Sequence, residues 1–78
     1  MIKIKNVIPE DNFKLKIEFE NGLLKIFDME PYLKYDVFSQ LKDINYFYRV
    51  QNKSYYIEWP NEQDLSADTL FVEGKMAA

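Results

Sequence analysis

The stretch from Phe13 to Phe27, FKLKIEFENGLLKIF, decides the fold of this 78-residue chain. Its first half carries an apolar side chain at every second position with charged side chains between, which is the period of a strand with one buried face. Asn21-Gly22 follows, the dipeptide that most readily forms a two-residue type I′ turn. The stretch therefore predicts a β-hairpin that turns at Asn21-Gly22.

A two-residue turn also fixes which residues face each other across this hairpin. Three cross-strand pairs follow: Phe19 with Leu24, Ile17 with Ile26, and Glu18 with Lys25. The first two pairs place apolar side chains on the core face, and the third places opposite charges on the solvent face.

A third strand is predicted upstream of the hairpin. Ile2 to Lys5 begins another alternating stretch, which is expected to reach Ile8. Pro9 to Asn12 has turn composition, because proline fixes φ and short polar side chains cap a bend. The first 27 residues are thus predicted to form a three-stranded antiparallel meander. Its apolar face needs a cover from the rest of the chain.

The cover is predicted to be a broken helical segment. Pro31 lies in a first helical turn, and Val37, Phe38 and Leu41 share one side at helical spacing. The break is expected near residues 34–36. We therefore expect two short helical turns, with all three apolar side chains on the sheet.

A second hairpin and a last helix complete the prediction. Tyr46 to Val50 and Tyr55 to Trp59 have strand composition, with a turn centred on Asn52-Lys53. Ser66 is placed to cap a helix from Ala67 to about Glu73, docked by Leu70 and Phe71, and residues 74–78 are expected to be frayed. The predicted fold class is α+β, with one domain over residues 1–78.

The composition restricts the possible chemistry. The chain has no histidine and no cysteine. It therefore lacks the usual general base, the thiol nucleophile and the ligands of zinc fingers and iron–sulfur clusters. With only two glycines it has no phosphate-binding loop. We expect no enzyme activity, no cofactor and no metal site.

The charge pattern suggests a location and one possible binding mode. The net charge is −3, no apolar run approaches the roughly 18 residues of a membrane span, and the first residues do not resemble a signal peptide. We therefore expect a cytoplasmic protein without membrane contact. Five lysines are predicted to project from the solvent side of the meander: Lys3, Lys5, Lys14, Lys16 and Lys25. They form either a weak nucleic-acid-binding face or an ordinary solvated face that discourages edge pairing.

Aromatic residues concentrate in the second predicted hairpin, and not all of them fit on one core face. Phe47, Arg49 and Tyr56 are predicted to share the side opposite Ile57 and Trp59. Exposed tyrosine with arginine is typical of protein interfaces. The alternative is that this side also packs under the helical segment, which leaves both sides of the hairpin buried.

The end of the chain resembles a known family. Trp59-Pro60-Asn61 with Asp64-Leu65 is similar to the W-P-N-G-x-D-L motif of the small bacterial family called domain of unknown function 2442. Further matches span almost the whole chain: Asn21-Gly22, Asp28 with Pro31, Phe38, Leu41, Asp43, Phe47, Val50, Leu70 and Phe71. The sequence departs from the motif at Glu62, where the family has glycine, and this puts the shape of the turn in doubt.

The resemblance implies little about activity. The family has no assigned catalytic residues, and some members look fused to helix-turn-helix domains or encoded in toxin–antitoxin-like pairs, as expected of a binding or regulatory module. The motif residues Trp59, Pro60, Asn61, Asp64 and Leu65 are expected to be structural: the indole in the core, the proline ending a strand and the carboxylate holding a loop. The functional expectation is a module that binds a protein partner or a second copy of itself.

Overall fold

The computed structural model describes residues 1–77 and confirms the α+β class. Within these residues there are two α-helices, α1 (Ile44–Phe47) and α2 (Ala67–Glu73), and 3₁₀ helices at Asp11–Phe13, Glu30–Tyr32 and Asp36–Lys42. The strands are β1 (Ile4–Glu10), β2 (Lys14–Phe19), β3 (Leu24–Asp28), β4 (Gln51–Asn52), β5 (Tyr56–Glu58), β6 (Asp64–Ser66) and β7 (Lys75–Met76).

The strands form two antiparallel sheets. One has the order β1-β2-β3-β7 and the other the order β4-β5-β6. The predicted meander is confirmed as β1, β2 and β3. The prediction of a frayed end is wrong for Lys75 and Met76, because they pair with Ile26 and Lys25 of β3. Ala78, also part of that prediction, lies outside the described residues.

The turn between β2 and β3 differs from the predicted type. It has three residues: the Gly22 amide donates to the Phe19 carbonyl at 2.9 Å, and the Phe19 amide donates to the Leu23 carbonyl at 2.9 Å. Gly22 has φ +91°, whereas Asn21 is not among the residues with positive φ and accepts a hydrogen bond from the Leu23 amide through its side chain. A type I turn followed by a left-handed glycine is the usual three-residue hairpin loop.

The extra loop residue shifts the register by one and turns β3 over. Glu18 pairs with Leu24, Ile17 with Lys25 and Lys16 with Ile26, so the three predicted pairs are wrong. Leu24 and Ile26 consequently lie on the outer face of the sheet, and Lys25 lies on the core side. The register places Phe27 beside Leu15, and both are almost fully buried.

The core lies between the inner face of the four-stranded sheet and a second layer formed by the helices and the smaller sheet. Leu15, Ile17 and Phe19 of β2 are fully buried, as their alternation predicts. The second layer contributes these buried side chains: Leu33, Leu41, Tyr46, Phe47, Ile57, Trp59, Ala67 and Leu70.

The second half of the chain departs from its prediction in two places. Residues 44–47 form α1 rather than a strand, because the Asp43 side chain accepts the Asn45 amide and caps a helix. Tyr46 and Phe47 are then both buried, which successive residues of a strand with one buried face cannot achieve. The hairpin that remains is short, β4 paired with β5, and β6 adds a third strand.

The helical predictions were partly right. The break near residues 34–36 and helix α2 are confirmed, and the Ser66 side chain caps α2 by accepting the Thr69 amide at 3.1 Å. Leu41 is buried and Phe38 packs against the core. Val37 is 63% exposed, so its predicted place on the sheet is wrong. The segment there is a 3₁₀ helix, whose tighter turn rotates successive side chains differently from an α-helix.

Candidate functional site

On the side of the four-stranded sheet that faces away from the core, β1, β2 and β3 form three cross-strand rows. One row is Asn6, Glu18 and Leu24, the next is Ile8, Lys16 and Ile26, and the third, Glu10, Lys14 and Asp28, is entirely charged. We call the six residues of the first two rows the outer sheet face. They alternate along β1, β2 and β3 with residues that point into the core, such as Val7 and Ile17.

The outer sheet face holds branched aliphatic side chains that the core does not use. Ile8 is 44% exposed and Leu24 is 38% exposed. A shallow depression lies between them, lined by Asn6, Ile8, Lys16, Glu18 and Leu24. No hydrogen bond or ion pair within residues 1–77 involves the Lys16 ammonium group. The face thus combines apolar side chains with a half-buried lysine that has no anionic partner in this part of the chain.

The five lysines predicted to form a basic face do not form one uninterrupted basic surface. The Lys5 ammonium lies 3.8 Å from the Glu18 carboxylate, and the Lys14 ammonium lies 3.1 Å from the Asp28 carboxylate. Lys3 is exposed, beside the turn that follows β2. Acidic neighbours therefore offset part of this positive charge, and nucleic-acid binding stays an untested prediction.

The prediction that Lys25 projects from the solvent side is wrong, because Lys25 lies on the core side of β3. Its ammonium donates to the Phe71 carbonyl at the end of α2 and lies 4.0 Å from the centre of the Phe71 ring. A cation at a helix C-terminus meets the negative end of the helix dipole. Lys25 therefore joins β3 to α2.

The predicted aromatic interface is not assembled as expected. Phe47 is fully buried in α1, so its assignment to an exposed face is wrong. Its ring meets Phe13 edge-on at 5.3 Å and stacks on Trp59 at 6.0 Å. Arg49 and Tyr56 are exposed, but Arg49 follows α1 while Tyr56 lies in β5. Phe47 therefore belongs to the core, but the alternative prediction, that this whole side of the hairpin is buried, is also wrong because Arg49 and Tyr56 are exposed.

The Trp59 motif lies in a buried hydrogen-bonded unit. The Trp59 indole N–H donates to the Phe47 carbonyl at 2.8 Å, and the indole is 1% exposed. The Tyr46 hydroxyl donates to Gln63 Oε1 at 2.7 Å and accepts the Asn61 amide at 2.7 Å. These contacts hold α1 against the turn between β5 and β6.

A glutamine completes this unit. Gln40 Oε1 accepts from Asn61 Nδ2 at 2.8 Å and from Gln63 Nε2 at 3.1 Å, which ties the 3₁₀ helix Asp36–Lys42 to the same turn. No buried side-chain polar atom within residues 1–77 lacks a hydrogen-bond partner. The buried polar atoms of the unit are therefore paired within the protein, and their hydrogen bonds join three elements of the second layer.

The other motif residues lie at or near the turn. Pro60 follows β5 and is exposed, and Leu65 packs against the core from β6. Asp64 is exposed, and within residues 1–77 no hydrogen bond or ion pair involves its side chain, so the expected pinning of the loop by this carboxylate is wrong. Glu62 has φ +71°, which shows that the turn keeps a left-handed residue without the glycine of the motif.

Two tyrosines off the outer sheet face have shifted ionisation. The Tyr32 hydroxyl donates to the Glu73 carboxylate, and this hydrogen bond raises the pKa of Tyr32 above its usual value of 10.0. Partial desolvation and the Asp11 carboxylate raise the pKa of Tyr48.

Among residues 1–77 no group of three or more acidic residues is arranged to hold a metal ion. None of the helices in this part of the chain has the length and hydropathy to span a bilayer.

Sequence reasoning missed the aliphatic residues of the outer sheet face. The signal that could have found them is the run Leu23 to Phe27, which is apolar in both of its alternating sets and so does not itself decide which set faces the core. Only the loop length decides which of the two sets faces the core, and the Asn-Gly dipeptide is compatible with loops of two and of three residues.

The fold and the outer sheet face define a small two-layer α+β protein with one open sheet face. A family model described as "Protein of unknown function (DUF2442)" matches residues 4–75 of the 78-residue chain. The chain belongs to this family, as its motifs indicated. Neither a search of curated proteins nor a search of solved structures returned a match.

Proposed function

We propose that this protein is a non-enzymatic, cytoplasmic binding module that acts through protein–protein contacts made by the outer sheet face. The observation that carries the proposal is the position of Ile8, Leu24 and Ile26 on the side of the sheet that faces away from the core. A sheet covered on one face only normally alternates apolar residues inside with polar residues outside. Aliphatic residues grouped on the open face are therefore available for a partner.

The composition supports a binding role rather than catalysis. The chain has neither histidine nor cysteine, and the polar atoms of the buried Tyr46–Gln63 unit are already paired with each other. Binding needs only a surface of suitable shape and chemistry, which the outer sheet face provides.

Affinity capture from native lysate tests the proposal. The tagged wild-type chain is compared with Leu24→Asp on the outer sheet face and with Val37→Asp on the opposite layer. Both replaced side chains are partly or largely exposed, so both variants are expected to fold, which circular dichroism checks.

The expected result is a protein captured by the wild type and by Val37→Asp but not by Leu24→Asp. Equal capture by all three chains, or capture by none even from lysate to which the untagged chain has been added at millimolar concentration, contradicts the proposal.

A further inference from the structure

We infer that the partner on the outer sheet face is a second copy of this chain, packed face to face about a two-fold axis. The inference rests on the proposed function and names the occupant of the same surface. It follows from the cross-strand register, which arranges the outer sheet face so that the surface is complementary to itself.

The two-fold symmetry follows from the row of residues that lies between the two rows of the outer sheet face. Val7, Ile17 and Lys25 form this middle row and point to the core side. A two-fold axis that runs across the strands, level with the middle row and above the outer face, exchanges the two outward rows. The row Asn6, Glu18, Leu24 of one copy then lies over the row Ile8, Lys16, Ile26 of the other.

This exchange pairs side chains of matching chemistry on β2 and β3, whereas on β1 Asn6 lies over Ile8 of the second copy. Lys16 meets Glu18 of the second copy, and by symmetry Glu18 meets Lys16. Leu24 likewise meets Ile26 of the second copy, and this contact also occurs twice. A two-fold interface of this kind makes every contact in duplicate, which is the usual form of a homodimer.

The charges along β2 reverse sign about the proposed axis. The order is Lys14, Lys16, Ile17, Glu18 and Glu20, with lysines on one side of Ile17 and glutamates on the other. A copy that packs with its strands antiparallel to the first places each lysine toward a glutamate. Packing with parallel strands places like charges together, which disfavours that arrangement.

The Lys16 ammonium group also favours a second copy of the chain as the partner. Lys16 is half-buried, and its only neighbour of opposite charge in the same two rows is Glu18, which already lies 3.8 Å from Lys5. In the dimer the Lys16 ammonium gains a carboxylate in a less hydrated setting, where an ion pair is stronger than at an open surface.

The size of the face predicts a weak dimer. Strands lie about 4.8 Å apart and rise about 3.3 Å per residue, so three strands of five to seven residues cover an area far below the roughly 800 Å² per partner of a standard interface. The dimer should therefore form at high micromolar concentration and dissociate on dilution.

Reciprocal charge variants test the inference. Lys16→Glu leaves only carboxylates at the contact, and Glu18→Lys leaves only ammonium groups, so each variant alone should remain monomeric. An equimolar mixture of the two variants restores both ion pairs and should form a heterodimer. Sedimentation velocity measures the wild type, each variant and the mixture from micromolar to millimolar concentration. Lys42→Glu and Asp64→Lys, on the other layer, are charge-matched controls that should dimerise like the wild type.

The outcomes separate this inference from the proposed function. Association of the mixture but not of the single variants supports the inference, and unfolded chains could not produce it. A wild type that stays monomeric, or a dimer that the variants leave unchanged, overturns the inference. If the wild type is monomeric while Leu24→Asp abolishes capture of a different protein, the inference fails and the proposed function stands. If capture is also insensitive to Leu24→Asp, both fail.

Discussion

Glu62 occupies the same backbone conformation in the turn after β5 that Gly22 occupies in the turn after β2. In each turn the left-handed residue donates its amide to the residue three positions earlier, Phe19 or Trp59, at 2.9 Å. The φ angles are +91° for Gly22 and +71° for Glu62. The two hairpin loops are therefore built alike, but only one of them uses a residue without a Cβ.

The first prediction follows from this parallel. Glu62→Gly should raise the free energy of unfolding by about 0.5 to 1 kcal/mol, because glycine removes the strain of a left-handed side-chain-bearing residue. Gly22→Ala should lower it by about 1 kcal/mol, and this cost is conformational because an added Cβ meets no atom within 4 Å. Urea denaturation measures both changes, and a loss of stability in Glu62→Gly contradicts the assignment of strain.

The second prediction concerns the buried hydrogen-bonded unit. Tyr46→Phe keeps the ring but removes the hydroxyl that donates to Gln63 and accepts the Asn61 amide. We expect a loss of about 1 to 3 kcal/mol, because buried polar groups are left without partners. Tyr48→Phe is the control, because the Tyr48 side chain is exposed and the hydrogen bond from its hydroxyl to Asp11 is long, at 3.5 Å. This variant should change the free energy of unfolding by less than about 0.5 kcal/mol. Equal changes in the free energy of unfolding for the two variants would show that the hydrogen-bonded unit does not stabilise the fold.

The third prediction checks the register of β3. Lys25→Met should lower the free energy of unfolding by about 1 kcal/mol, because the ammonium loses the Phe71 carbonyl and the Phe71 ring. Lys16→Met, on the outer sheet face, should change it by no more than about 0.5 kcal/mol. Thermal or urea denaturation at micromolar concentration compares the two variants. A cost at Lys25 as small as that at Lys16 would contradict the observed register and support that of a two-residue turn, in which both lysines face solvent.

The fourth prediction concerns pH. The pKa of Tyr32 is raised by its hydrogen bond to Glu73, so the neutral hydroxyl is favoured in the folded state. The stabilisation from this bond is fully present below pH 10 and is lost as the pH rises through the higher folded-state pKa. Glu73→Ala should move the ionisation of Tyr32 back toward 10, as measured by the ring resonances of Tyr32 in an NMR titration. An unchanged titration in Glu73→Ala would rule out this hydrogen bond as the cause.

The elements that the sequence predicts correctly are those in which several local signals agree with one another. Strand β2 has strict alternation, and α2 has a capping serine followed by apolar residues at helical spacing, so both are close to their predicted bounds. Residues 46–50 have strand composition but form the end of α1 and the turn after it, because the Asp43 cap and the burial of Tyr46 and Phe47 outweigh β propensity.

The candidate site could not be predicted, because it depends on one residue of loop length. A two-residue turn sends Leu24 and Ile26 to the core, whereas the observed three-residue turn sends them outward. The same shift takes Lys25 out of the predicted basic face. The outward position of Leu24 and Ile26 thus follows from the loop length, and the observed register also buries Phe27 beside Leu15.

Lysine acylation footprinting tests the central claim, that the outer sheet face is the contact surface, most directly. The tagged chain is acylated briefly in dilute buffer and in native lysate to which the untagged chain has been added at millimolar concentration, and mass spectrometry compares Lys16 with Lys42 and Lys53, which are exposed elsewhere. We predict that the reactivity of Lys16 falls in this lysate while that of Lys42 and Lys53 is unchanged. Protection of Lys53 without protection of Lys16 would contradict the claim and place the contact on the second hairpin.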